Sequence, residues 1–457
     1  MRMILGLRSV ILASFVFSGM NVWALDVEYA PSAFDKSGKH FEFIDLQTAH
    51  YEIEYNVQSK RTSVRSTLKF VLLKKGYPLF DLVPNGSKAW YQGNEVGVAN
   101  IDFPSGRSKA RYLNREFQLG VHQVVIDHEL STGVAFASGS VSSAFFMSDL
   151  SDRQFLERYL PASFDYDQVA MTFDVKVTGG SAADHTLQTN CEQTVKSSLH
   201  WQLVCPPSYN SSSLFYHLYK SDRFSELKED FASIDGRSVQ VTIYGTAPNS
   251  FMEPTRNIFH ELEADYGPWP HDRLLIYAIP NYGGGMEYSG ATATGMGALG
   301  HELHHSYFAR STFPMGGNAG WIDEALASWR DDRYRSLPKL SSNDQTEMAG
   351  HSEYKRTTDT DAYDSGARII AHLDYLFQEQ GGFKPFMKYF HAQYKDLGVT
   401  TQWFEEEITN FYSKDVSGLF SEYIYGEGLQ DESRNSNKVK HAGFHSPLSE
   451  EDLKRLL

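Results

Sequence analysis

Cysteine is nearly absent: the 457 residues hold two, Cys191 and Cys205. They leave two readings, a disulfide closing a loop of thirteen intervening residues or a pair of buried thiols, and neither carries a catalytic role. In an oxidising compartment the disulfide would stabilise the fold by roughly 3 kcal/mol. Positive charge is also short, with 42 Lys and Arg against 57 Asp and Glu and a formal net charge of −15. That balance argues against nucleic acid or anionic lipid as the main partner, because both demand clustered cations. It is compatible with a cationic ligand. No segment beyond the first 24 residues has 18 consecutive apolar side chains, which argues against a membrane span. No repeat or low-complexity linker is present. The apolar content of 41% and charged content of 22% are those of a globular chain, and the length suits two or three domains.

The first 24 residues read as an export signal. Arg2 and Arg8 flank the apolar run Val10 to Phe17, and Val22-Trp23-Ala24 ends in the small residue a signal peptidase selects. The run is too short to span a bilayer and contains Ser14, with Ser18 just beyond it; no cysteine near the cleavage point offers a lipid anchor. The expected mature protein begins after Ala24, is periplasmic or secreted, and has no stable membrane association.

The remaining chain changes texture near residue 249. Up to there, period-two stretches such as His50 to Val57, Val169 to Val177 and Val239 to Tyr244 predict short strands. Beyond it, 3.6-residue spacing predicts helices over Arg256 to Tyr266, Gly297 to Arg310, Trp321 to Arg335, Tyr363 to Gln380 and Thr401 to Tyr412. The expected class is α+β and multidomain: an antiparallel β-saddle or sandwich over 25–248, a mainly α domain over 249–400, and a helical extension over 401–457.

The chemistry concentrates in His301-Glu302-Leu303-His304-His305. Helical residues four apart lie about 40° apart around the axis, so His301 and His305 can reach one ion. Glu302 projects about 100° away from His301, where it can take a proton from a water activated by the metal. His304 reads as a supporting or surface residue. After His305 come eighteen residues and then Glu324, on a second helix that follows Gly316, Gly317 and Gly320. Two imidazoles and one carboxylate leave a fourth position for water, the pattern of a catalytic zinc. His260-Glu261 starts a similar pattern, but Ala264 fills its last position and cannot chelate. His351, His372 and His391 have no partner pattern and read as structural or exposed.

The motif, the gap and the Trp321-Ile322-Asp323-Glu324-Ala325 segment together resemble the gluzincin metallopeptidases. The likeness is to the alanyl-aminopeptidase and leukotriene-hydrolase type and its glycyl-aminopeptidase relatives. Gly284-Gly285-Met286-Glu287-Tyr288 is similar to that family's G-x-M-E-N motif, and Tyr363-Asp364-Ser365-Gly366-Ala367 to its Y-E-K-G-A segment. Arg158 to Asp165 resembles R-x-x-F-P-x-F-D, and Asp265 to Pro280 the stretch leading into G-x-M-E-N. The resemblance implies a thermolysin-like catalytic domain with one Zn2+ per chain, held by His301, His305 and Glu324. It implies Glu302 as general base and Tyr363 as oxyanion donor. Gly285, Met286 and Glu287 would contact the substrate, with Glu287 holding the free amino terminus of a peptide. The implied activity is that of an aminopeptidase.

There are departures. Only thirteen residues separate Glu287 from His301, about half the family's usual spacing, and the gap from Glu324 to Tyr363 is short. Asp323 and Tyr288 replace the family's common residues, and the chain stops short of the large C-terminal helical domain many members carry. An endopeptidase or dipeptidase on the same zinc site is therefore an alternative. An inactive zinc-retaining binding protein is a third reading, which the presence of Glu302 disfavours.

Overall fold

The two longest strands, Asp45–Asn56 and Arg61–Leu72, form a hairpin whose inward residues Tyr51, Ile53 and Tyr55 are fully buried while His50, Glu52 and Glu54 face solvent. This alternation gives one apolar face and one wet face, so the hairpin needs a second layer. It lies in an eight-stranded sheet with the order 192–197, 200–204, 170–178, 45–56, 61–72, 120–129, 88–91, 94–96. The pairing is antiparallel except that Ala170–Thr178 runs parallel to Asp45–Asn56. The sheet expected to be antiparallel is thus mixed, because that strand returns through a long crossover rather than a hairpin. A four-stranded sheet (134–137, 140–144, 216–220, 185–189) covers the apolar face and shares its core. Tyr55 Oη ties the layers together, 2.9 Å from Ser143 Oγ and 3.1 Å from Tyr216 Oη. Cys191 and Cys205 are joined by a disulfide at the open end of the 192–197/200–204 hairpin.

This computed structural model describes residues 29–427 except 83–85, 105–108, 149 and 151–154. The expected signal segment ending at Ala24, and the part of the 401–457 stretch beyond residue 427, lie outside the described residues.

A further five-stranded sheet carries the strands 225–232, 238–245, 273–278, 291–294 and 285–288 in that order. It runs across residue 248, so 225–245 share a sheet with the segment expected to open the catalytic domain. Helix α1 (Asn249–Tyr266) is the crossover between the parallel strands 238–245 and 273–278, and buries Phe251, Phe259 and Leu262. It begins seven residues before the expected Arg256 and takes in Pro254, whose missing N–H costs a single bond near the helix start.

The helices α2 (Leu299–His304), α3 (Trp321–Asp331), α4 (Ala367–Leu376), α5 (Lys384–Tyr394), α6 (Thr401–Tyr412) and α7 (Ser417–Tyr423) follow. Their shared core includes Trp321, Leu326, Phe386, Phe404, Ile408 and Phe420, so the residues after 401 pack with the helices before them. α2 stops six residues short of the expected Arg310. Arg310 N–H reaches back to His305 O at 2.9 Å and Ala309 adopts a φ of 132°, turning the chain into Thr312–Pro314, which pairs with Leu397–Val399. The apolar residues past His304 therefore belong to a turn and a strand. Among the described residues no helix is long and apolar enough to cross a membrane.

Candidate metal centre and active site

α2 is short and buried on every side, and it presents His301 and His305 on successive turns. α3 follows Gly320, where a Cβ would lie 2.2 Å from Thr358 Oγ1; the bare backbone is what lets the 355–358 loop approach. Glu324 sits in the first turn of α3, with Oε2 3.0 Å from His301 Nε2 and 3.5 Å from His305 Nε2. The ligand atoms of His301, His305 and Glu324 all lie within 4.8 Å of one another, and all three residues are buried. Each imidazole is held from its other nitrogen: His301 Nδ1 by Asp331 Oδ2 at 2.8 Å, His305 Nδ1 by Phe308 O at 3.2 Å. A donor from Nδ1 leaves Nε2 as the ligating lone pair, the arrangement found behind metal-bound histidines.

The electrostatics describe a place built for a cation. Burial would raise the Glu324 carboxyl, but the adjoining His305 and His301 hold it well below the usual carboxylate range. Burial opposes protonation of both imidazoles, yet Asp331 and Glu324 push His301 up to about 9, and Glu324 with Glu287 drives His305 well above its ordinary value. A metal cation takes the place of those protons. Two nitrogens and one carboxylate oxygen suit zinc and leave room for a fourth ligand.

Glu302 projects from the same helix toward strand Gly285–Tyr288. A Cβ on Gly285 would lie 2.4 Å from Glu302 Cγ, so only glycine admits the carboxylate there. Glu302 Oε2 is buried with no hydrogen-bond partner among the described residues. Burial and then the nearby Glu287 push this carboxyl up to about 8. A carboxylate so placed is suited to exchanging protons. Tyr363 lies on one turn of π-helix, Ala362–Gly366, an irregularity common at functional sites. Its ring stacks near His301, with centroids 6.2 Å apart and planes at 22°.

Glu287 is on the same face of its strand as Gly285, and its Oε1 accepts from Arg310 Nη2 at 2.5 Å. Met286 and Tyr288 alternate with it and pack in the β core; the Tyr288 hydroxyl donates to Phe145 O at 3.2 Å. Tyr282 packs against the same core. His304 is fully buried, stacked on Phe308 and against Tyr266, rather than at the surface. Sequence reading missed Asp331 and Arg310. Asp331 follows Glu324 by seven residues, two helical turns on one face, and that spacing was the available signal.

A scan of protein-family models gives no match, and a search of curated proteins finds no relative by sequence. Likeness appears among solved structures. An M1 zinc metallopeptidase from Deinococcus radiodurans superposes with a TM-score of 0.59 at 15% identity, covering 84% of this chain and 94% of that one. A mutant of the Deinococcus radiodurans enzyme bound to a Tyr-Ser-Ala substrate gives 0.58 at 15%, covering 85% and 95%. Native leukotriene A4 hydrolase from Saccharomyces cerevisiae gives 0.60 at 13%, covering 90% and 73%. The chain therefore has the multidomain fold of these zinc metallopeptidases, a β-rich N-terminal part followed by a helical catalytic part.

Proposed function

We propose that this protein is an exported zinc-dependent metallopeptidase that hydrolyses peptide bonds at the amino end of its substrates. The observation that carries the reading is the convergence of His301, His305 and Glu324 within 4.8 Å, beside a buried Glu302 oxygen with no partner among the described residues. The fold shared with peptidases, one of them holding a tripeptide substrate, supports a peptide as the ligand.

A zinc ion held by His301 Nε2, His305 Nε2 and Glu324 would acidify a water and polarise the scissile carbonyl. Asp331 and Phe308 O fix the two imidazoles in the ligating tautomer. Glu302 accepts the proton of the attacking water at Oε2 and passes it to the leaving amine nitrogen. Tyr363 donates its hydroxyl proton in a hydrogen bond to the oxyanion, and such a donor is worth about 3–4 kcal/mol. Glu287, bonded through Oε1 to Arg310, faces the amino end of the substrate. Export is supported by the basic-then-apolar leader and by the disulfide, which suits an oxidising compartment.

The test is hydrolysis of free-amine aminoacyl fluorogenic substrates by the purified protein. Turnover should vanish with a chelator and return with zinc, and Glu302→Gln should keep stoichiometric zinc while losing activity. Protein that purifies without zinc and does not take it up would overturn the reading. A second reading, a peptidase indifferent to the substrate's amine, is favoured by the Glu287–Arg310 pair.

A further inference from the structure

Arg310 is fixed from both halves of the molecule. Its Nη2 donates to Glu287 Oε1 at 2.5 Å and its Nε to Glu287 O at 3.3 Å. Nη1 donates to Ser212 Oγ at 2.9 Å and to Ala309 O at 3.3 Å, and the guanidinium lies 5.6 Å from the centre of the Phe155 ring. Ser212 and Phe155 come from the β-rich part of the chain, Ala309 from the turn that ends α2. The side chains of Arg310 and Glu287 are only 4% and 6% exposed, so water does not screen this pair.

The charge balance of the site follows. Three glutamates converge there, Glu287, Glu302 and Glu324, while Asp331 and Asp323 stand behind the imidazoles of His301 and His305. A divalent ion would be held by His301, His305 and Glu324, whereas the cation bonded to Glu287 is the guanidinium of Arg310. An ammonium arriving beside Glu287 thus meets a carboxylate that already has its cation, and a like charge fixed behind it.

We propose that Arg310 is the specificity-determining residue of this site: as the resident counter-ion of Glu287 it removes the need for a substrate ammonium, so the cleft takes peptides with blocked amino ends as well as free ones. The inference rests on the peptidase reading and says which substrates that site accepts. Arg310 works through Glu287 and touches no reacting atom.

The experiment compares an alanyl aminocoumarin amide with its N-acetyl counterpart on the zinc-loaded protein, by kcat and KM. The matching hydroxamates, free and N-acetylated, are compared by calorimetric Kd, which reads the same preference without turnover. The wild-type protein should treat each pair within about tenfold. Arg310→Gln should shift the ratio at least tenfold toward the free amine, in KM and Kd rather than kcat, and Arg310→Lys should restore it. The charge-balanced Glu287→Gln/Arg310→Met protein should keep the wild-type ratio whatever its absolute rate. A wild-type preference above 100-fold for the free amine, or an unchanged ratio in Arg310→Gln, overturns the proposal. Turnover that survives Glu302→Gln instead overturns the peptidase mechanism, and protein without zinc overturns both.

Discussion

Asp331 Oδ2 lies 2.8 Å from His301 Nδ1, seven residues along α3 from Glu324. One helix thus supplies both a ligand and the group that aims another ligand. Removing the acceptor frees the imidazole to rotate and to protonate at the ligating nitrogen. Asp331→Ala should weaken zinc binding by about 10- to 100-fold. Competition with a chromogenic chelator measures this directly, and an unchanged zinc affinity would contradict the role.

Gly285 is required by the position of Glu302 rather than by its own backbone angles. An alanine methyl there would stand 2.4 Å from Glu302 Cγ and 2.5 Å from Oε1, so the carboxylate must move. Gly285→Ala should lower kcat by about 100-fold, the scale of a misplaced general base, with zinc content unchanged. Loss of zinc in step with activity would show that the whole centre had shifted.

The convergence of His301, His305 and Glu324 was legible because its pattern is local: His301 and His305 sit one helical turn apart, and Glu324 lies in a second helix marked by its glycines and apolar neighbours. Partners that meet through tertiary structure were not. Asp331 has a side chain 43% exposed and looks from sequence like any acid at a helix end. Arg310 looked like the last residue of a helix, since the apolar spacing of Leu303, Tyr307 and Phe308 continues past His304. The strand pairing of 312–314 with 397–399 draws the chain away, and no local period reports a contact between segments about 85 residues apart. The same limit hid the parallel pairing of 170–178 with 45–56 and the sheet that runs across residue 248. Period two identifies a strand, and its neighbours come from elsewhere in the chain.

The disulfide closes a separation of 14 residues across the 192–197/200–204 hairpin, on the edge of the eight-stranded sheet. Most of its effect should fall on the unfolded chain. The Cys191→Ser/Cys205→Ser protein should lose about 3 kcal/mol in denaturant unfolding, with zinc content and turnover retained. Equal midpoints for the oxidised wild type and the double variant would remove the disulfide from the stability of the fold.

Arg356 joins the loop before Tyr363 to the β-rich part of the chain. It is bonded to Asp81 and, at 3.1 Å, to Glu157 Oε1, so two buried carboxylates share one guanidinium. Asp165 also faces Arg356, and Arg111 faces Asp81. Burial pushes Glu157 up from 4.5 to about 7, the attraction of Arg356 being insufficient and the repulsion of Asp81 adding to the rise. Glu157 Oε2 is buried and makes no hydrogen bond among the described residues, so nothing but Arg356 on the other oxygen offsets the cost of burying its charge. A carboxyl that binds its proton more tightly when folded stabilises the protein fully below its unfolded pKa. That contribution declines as pH rises from about 4.5 to about 7 and is lost above, a change on the order of 3 kcal/mol. Glutamine has no proton to lose, so Glu157→Gln should match the wild type near pH 4.5 and exceed its stability by that amount at pH 8. Groups remote from this cluster act alike in both proteins and cancel in the difference, whereas Asp81, which repels Glu157, titrates together with it. Denaturant unfolding of the two across this range is the measurement, and a stability difference that stays constant with pH would show that Glu157 titrates alike in the folded and unfolded chains.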